Sequence, residues 1–237
     1  MTPTVEYGRQ RDIFDPASFP WPVHIIGLGG IGSAVAPTLA KLGIAHLILW
    51  DDDALEVGNI PSQFCYRLGD VGARKVTAAA EILRTLMPTT VETCERRFPS
   101  DGSESPEGIV VSGVDSMTNR SAIWSALRFS VHVPLYLDGR LGGEILELHT
   151  VRPATIGDVE QYEATLFSDA EATPLPCAAR AVIHPALVLA GLVAAQLTRW
   201  LRGETYYRKI AMDLKTMTML TANPVRATLG ADQDRRG

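Results

Sequence analysis

The segment Gly27-Leu-Gly-Gly-Ile-Gly32 constrains this chain more than any other. A short apolar run, 22–26, precedes it, and Ile31, Val35, Leu39 and Leu42 follow at helical spacing before Gly43. The order is strand, tight turn, helix, with a glycine where a helix stops. A second strand over 45–50 then ends in Asp51-Asp52-Asp53, so the reading is one right-handed β-α-β unit. In this G-x-G-x-x-G turn Gly27 allows the tight bend, Gly29 lets backbone approach a phosphate, and Gly32 lets helix and strand pack closely. Free N–H groups at the helix start attract the anion, and Asp51 at the second strand's end is placed to accept from a ribose. The same glycines can serve turn and packing alone.

Beyond the unit, Asp70 stands as a candidate N-cap for a helix over 71–87, where Val76, Ala79, Leu83 and Leu86 recur at helical spacing. Pro88 stops it. Strands follow over 90–94, 108–113 and 134–137, with a helix over 119–129 between the last two. Strands alternating with helices predict an α/β, doubly wound, mainly parallel Rossmann-like sheet, with ligands at the strands' carboxyl ends. Residues 144–151 alternate as an antiparallel strand, 185–201 read as a core helix, and 206–221 as one or two strands. That gives an antiparallel C-terminal extension. The expectation is one domain over 1–221, with a crossover or lid loop at about 152–183 and a flexible tail over 222–237.

Composition narrows the functional classes. The chain has 237 residues, 46% of them apolar, enough for one sizeable core. With 22 Lys+Arg against 27 Asp+Glu the net charge of −5 gives no basis for a nucleic-acid or anionic-membrane surface. Cys65, Cys94 and Cys177 form no C-x-x-C pair, which argues against a disulfide framework or a cysteine zinc knot. Reduced thiols and an N-terminus without an apolar core segment point to a cytoplasmic setting, and the apolar stretch 183–197 is too short and too interrupted to span a bilayer.

After Trp50 the chain reads Asp51-Asp-Asp53, then Asn59, Gln63 and Asp70-Val-Gly-Ala-Arg-Lys75. Upstream stands Tyr7-Gly-Arg9-Gln10; downstream stand Gly113-Val-Asp115, Asn119-Arg120 and Cys177-Ala-Ala-Arg180. In this order the motifs closely resemble the ThiF/MoeB/ubiquitin-activating (E1-like) superfamily over about 7–201, and the chain looks like a small bacterial-type member. The resemblance implies adenylation: a C-terminal carboxylate of a ubiquitin-like or sulfur-carrier protein attacks the α-phosphate of ATP, releasing pyrophosphate.

It also implies roles. Gly27, Gly29, Gly30, Gly32, Asp51, Asp53, Asn59, Gln63 and Lys75 would hold the nucleotide, with Lys75 on the phosphates and Asp115 on Mg2+. Arg9 would reach the phosphates from the partner subunit of a homodimer. Each has a plainer reading. Lys75 can face solvent from an amphipathic helix, Asp115 can cap the following helix, and Arg9 can be a surface charge. Arg120 orients a carboxylate or pairs with an acid. Cys177, near Arg180 and His184, can carry a thioester or persulfide, or be a small buried residue; Cys65 and Cys94 read as structural, and His184 as a helix-start residue.

Two departures stand out. Ser62 occupies the place of the family's arginine before Gln63, with Arg67 and Arg74 as possible substitutes, and the absence of C-x-x-C pairs predicts a zinc-free member. Ser62 motivates a second reading, a catalytically silent homologue that binds a carrier or completes a heterodimer. The glycine turn and Asp51 alone also permit an NAD-linked oxidoreductase, in which Asn59, Gln63 and Lys75 would have no role.

Overall fold

The computed structural model describes residues 5–99, 103–168 and 182–226. Eight strands form one sheet in the order β3-β2-β1-β4-β5-β6-β7-β8. These are β1 Val23–Ile26, β2 His46–Trp50, β3 Thr90–Cys94, β4 Ile109–Ser112, β5 Tyr136–Gly142, β6 Ile145–Val151, β7 Thr205–Asp213 and β8 Thr218–Arg226. Neighbours from β3 to β5 pair in parallel and those from β5 to β8 antiparallel. The doubly wound sheet and its antiparallel extension agree with the sequence. β1 lies between β2 and β4, so the chain leaves it in opposite directions and opens a crevice at the strands' carboxyl ends.

Among the described residues five helices cover the sheet: α1 Gly30–Leu42, α2 Lys75–Leu86, α3 Met117–Leu127, α4 Ile156–Glu163 and α5 Ile183–Leu201. One core joins α1, α2 and α5 to the sheet through Leu39, Val76, Leu83, Leu189 and Val193. A second, on the other face, joins α3 and α4 through Trp50, Ile123, Trp124, Tyr136 and Tyr162. α1 is buried along most of its length because small residues, Ala34, Ala36 and Ala40, let it sit close against the sheet and α5. It ends as the sequence predicts: Gly43 adopts φ 102°, and its N–H meets the Ala40 carbonyl.

Three sequence expectations change. Asp70 does not cap α2, because its carboxylate is engaged by the Arg67 backbone N–H and guanidinium, and α2 starts later, at Lys75. The expected loop at 152–183 contains α4, pinned by the buried Asp158, which accepts from Arg152 and Arg208. β8 runs to Arg226, so 222–226 belongs to the sheet's edge rather than to a tail. No helix among the described residues is long and apolar enough to cross a membrane.

Candidate nucleotide site

The carboxyl ends of β1, β2 and β4 open into a cleft of about 890 Å3. Its floor is the glycine turn. Gly27 holds φ 84° and donates to the Trp50 carbonyl, and Leu28 N–H donates to Asp51 Oδ2 at 2.7 Å. Asp51 Oδ1 accepts from Asp53 N–H at 2.8 Å, so one oxygen of this acid braces the glycine turn and the other its own loop. Burial raises the Asp51 pKa, against the pull of those two N–H bonds. Gly32 has no room for a side chain: a Cβ there would lie 1.9 Å from the Gly27 carbonyl oxygen. Gly29 is different, since a Cβ there would meet nothing within 4 Å. No side chain caps α1 at Gly29, which suits an anion at this end.

The motif residues converge on this cleft. Gly27, Gly29, Gly30, Asp51, Asp53, Asn59, Gln63, Lys75 and Asp115 all line it, whereas Gly32 packs beneath. Lys75 is buried and does not face solvent; its Nζ lies 2.7 Å from Asp53 Oδ2. Asp115 is exposed and does not cap α3, because Ser116 Oγ takes that place by accepting from Asn119 N–H. Gln63 is buried, yet its Oε1 has no hydrogen-bond partner. An orphaned acceptor in a cleft wall calls for a donor from a ligand.

Oxygen donors are plentiful. The carboxylates of Asp51, Asp52 and Asp53 can each bring one oxygen within 4.8 Å of the others, and Asp115 shares the cleft. A hard cation such as Mg2+ fits that donor set, and a triphosphate fits the volume, the open Gly29 and the lysine.

Other residues fall elsewhere. Arg9 is exposed on the turn whose Gln10 Nε2 donates to the Leu42 carbonyl, at the opposite end of α1 from the glycine turn and about 18 Å along the helix. Neither candidate substitute for the missing arginine lines the cleft: Arg67 pairs with Asp70, and Arg74 donates to the Asp52 carbonyl. Cys177 lies outside the described residues. Burial pushes the Cys65 thiol up to about 12 and also raises Cys94, which fits structural rather than reactive thiols.

Sequence reasoning missed two parts. Arg97, Phe98 and Pro99 line the cleft from beyond β3, with Arg97 Nε 3.0 Å from Asp52 Oδ2. The position itself was the signal, because every parallel strand's carboxyl end faces the site. The other is Asp138, wholly buried on β5 and bonded to Arg120, Arg140, Ser112 and Tyr162. Burial alone would raise its pKa, but the two guanidinium groups outweigh that and hold it below the usual value.

Together the sheet order, the glycine turn at the switch point and the nucleotide-sized cleft define a nucleotide-binding α/β domain of the doubly wound type. The ThiF family profile matches residues 21–233, and the chain belongs to that family. Among curated relatives, it is 36% identical to the Nedd8-activating enzyme E1 catalytic subunit of Drosophila melanogaster over 101 residues, 41% of this chain and 22% of that protein. It is 36% identical to ubiquitin-like modifier-activating enzyme 5 of Rattus norvegicus over 120 residues, 44% of this chain and 30% of that one. Identity to the SAMP-activating enzyme E1 of Haloferax volcanii is 33% over 122 residues, 48% and 45% of the two chains. The chain therefore spans less than half the length of these relatives. In fold it resembles E. coli MccB crystallised with AMPCPP and MccA, with a TM-score of 0.67 at 19% identity over 90% of this chain and 67% of that one.

Proposed function

We propose that this protein adenylates the C-terminal carboxylate of a protein or peptide, of the ubiquitin-like or sulfur-carrier kind, at the expense of ATP. The observation that carries the reading is the convergence of Lys75, Asp115 and the glycine turn on one cleft beside the orphaned Gln63 acceptor. The relatives' names, activating enzymes for Nedd8, ubiquitin-like modifiers and SAMP, support the substrate class.

In the proposed step a carboxylate oxygen attacks the α-phosphorus, the bond from that phosphorus to the bridging oxygen breaks, and pyrophosphate leaves with the electron pair. Backbone N–H groups at Gly29 and Gly30 would face phosphate oxygens, and Lys75 would supply a fixed positive charge. Asp51 and Asn59 would orient the nucleoside. Mg2+, when bound through Asp115, would neutralise phosphate charge as a Lewis acid. Arg9 lies too far from its own cleft to take part there, so its role would require a homodimer in which it serves the neighbouring site. Cys177 would then accept the acyl group by thiolate attack on the acyl carbon, with AMP leaving. A cytoplasmic setting accords with this chemistry.

The test is pyrophosphate–ATP exchange by the purified protein with Mg2+ and a candidate ubiquitin-like protein ending in Gly-Gly. Exchange that depends on the carrier and disappears in Asp115→Ala supports the reading; equal exchange in that variant overturns it. Intact mass after the incubation reads a Cys177 adduct directly. Ser62, which offers a hydroxyl where the family has a guanidinium, favours a second reading, the catalytically silent carrier-binding homologue. Carrier binding without ATP binding at millimolar nucleotide would establish that reading instead.

A further inference from the structure

Asp138 does not line the cleft, yet it is the most deeply enclosed charge on β5. Burying a carboxylate costs several kcal/mol in the absence of partners, and an apolar side chain would fill a sheet position without that cost. Its partners show what the charge achieves. Oδ1 accepts from Ser112 Oγ at 2.9 Å and Arg120 Nε at 2.7 Å, while Oδ2 accepts from Arg140 Nε at 2.8 Å and Tyr162 OH at 3.1 Å.

With its Nε committed to Asp138, the Arg120 guanidinium has one orientation, and its other nitrogens reach backbone carbonyls and, from Nη1, Met117 Sδ at 3.6 Å. Nη2 donates to the Val114 carbonyl at 2.8 Å and the Gly139 carbonyl at 3.3 Å, and Nη1 reaches the Ser116 carbonyl at 3.5 Å. Val114 and Ser116 are the two neighbours of Asp115. One guanidinium, aimed by one buried acid, thus holds the backbone on both sides of the exposed carboxylate that enters the cleft. Ser112 closes the ring, since it ends β4 and leads into the same loop.

We infer that Asp138 is a positioning residue for Asp115: through Arg120 it fixes the β4–α3 loop, and so sets where the Asp115 carboxylate meets a magnesium–triphosphate. The inference rests on the adenylation reading and concerns a residue that never touches substrate. Outer-shell groups that orient a metal ligand typically change metal affinity by about tenfold to a hundredfold when removed.

The test is calorimetric titration with ATP, in MgCl2 and in EDTA, of the full chain as wild type, Asp138→Asn and Arg120→Lys. Arg120→Lys keeps the charge beside Asp138 and gives up the contact to Val114, so it carries the test if Asp138→Asn does not fold. The expected result is that wild type binds more tightly with Mg2+, and that the variants lose about tenfold or more of that gain while binding in EDTA is unchanged. Amide exchange in ligand-free protein should quicken over 113–117 and stay constant over 27–33. A folded variant that keeps the full Mg2+ gain and its exchange protection overturns the inference alone. Absence of any Mg2+ gain in wild type removes the adenylation reading and the inference together.

Discussion

Lys75 Nζ lies 2.7 Å from Asp53 Oδ2, and the two side chains are 7% and 61% exposed. The lysine is therefore buried and its carboxylate partner is the solvated end of the pair. A buried ammonium needs a counter-charge, and in the ligand-free cleft an acid just beyond β2 supplies it. A triphosphate would offer the same charge from the cleft side. Asp53→Asn should destabilise the free protein by about 1–3 kcal/mol, because it removes the carboxylate bonded to the ammonium and leaves only the more distant charge of Asp51. Saturating Mg-ATP should then raise the melting temperature of the variant by more than it raises that of wild type. Thermal melts with and without nucleotide check this, and equal shifts would mean that phosphate does not take over the lysine.

The glycines of the turn divide into two kinds that substitution can separate. Gly32→Ala places a Cβ 1.9 Å from the Gly27 carbonyl oxygen, a backbone clash that no rotamer relieves. It should cost about 3 kcal/mol or more and show as a large loss in the denaturation midpoint. Gly29→Ala meets nothing within 4 Å and should cost under about 1 kcal/mol. Its methyl would nevertheless stand where phosphate approaches, so ATP affinity should fall about tenfold in a well-folded protein.

The β1–α1–β2 unit was legible in the sequence because periodicity, turn glycines and a strand-end acid all point the same way there. Asn59, Gln63, Lys75 and Asp115 were legible only as spaced motifs; their convergence needed the sheet order. α2 began later than expected because Asp70 closes a local turn with Arg67, a competition between side chain and helix that spacing cannot resolve. α4 was missed because it is two turns long and held chiefly by Asp158 and Tyr162, one of them an acid that reads as solvated until Arg152 and Arg208 are folded against it. Asp138 was invisible for the same reason: Arg140 is its neighbour on β5, but its meaning lies in Arg120 and Tyr162, which tertiary structure brings to it.

Acid should unfold the protein in two stages. Burial lowers the pKa of His24 and His149 below the usual 6.5, so as pH falls through 6.5 the unfolded chain takes up protons first and stability declines. Glu147 is held at about 2 by His149 and Lys209, below its ordinary 4.5. Its contribution is present above pH 4.5 and is lost as pH falls toward 2, worth about 1–2 kcal/mol after allowing for its partial exposure. Melting temperature against pH should show both declines in wild type. Glu147→Gln should be less stable at pH 7 and should show a shallower lower decline, the remainder coming from Asp138 and Asp158, which are also held below their usual values, while keeping the upper one. A wild-type profile flat between pH 7 and 5 would refute the histidine part.

Gln63 gives a test whose two halves have opposite signs. Its Oε1 is buried in the cleft wall without a partner, which penalises the ligand-free protein. Gln63→Met keeps the volume and removes the orphaned acceptor, so the free protein should gain about 1 kcal/mol and melt at a higher temperature. If a nucleotide supplies the missing donor, the same variant forfeits that bond, and its stabilisation by Mg-ATP should shrink. A merely ill-fitting core residue would raise stability and leave the nucleotide shift alone. Only an acceptor kept free for a ligand predicts a higher melting temperature without ATP together with a smaller rise when ATP is added.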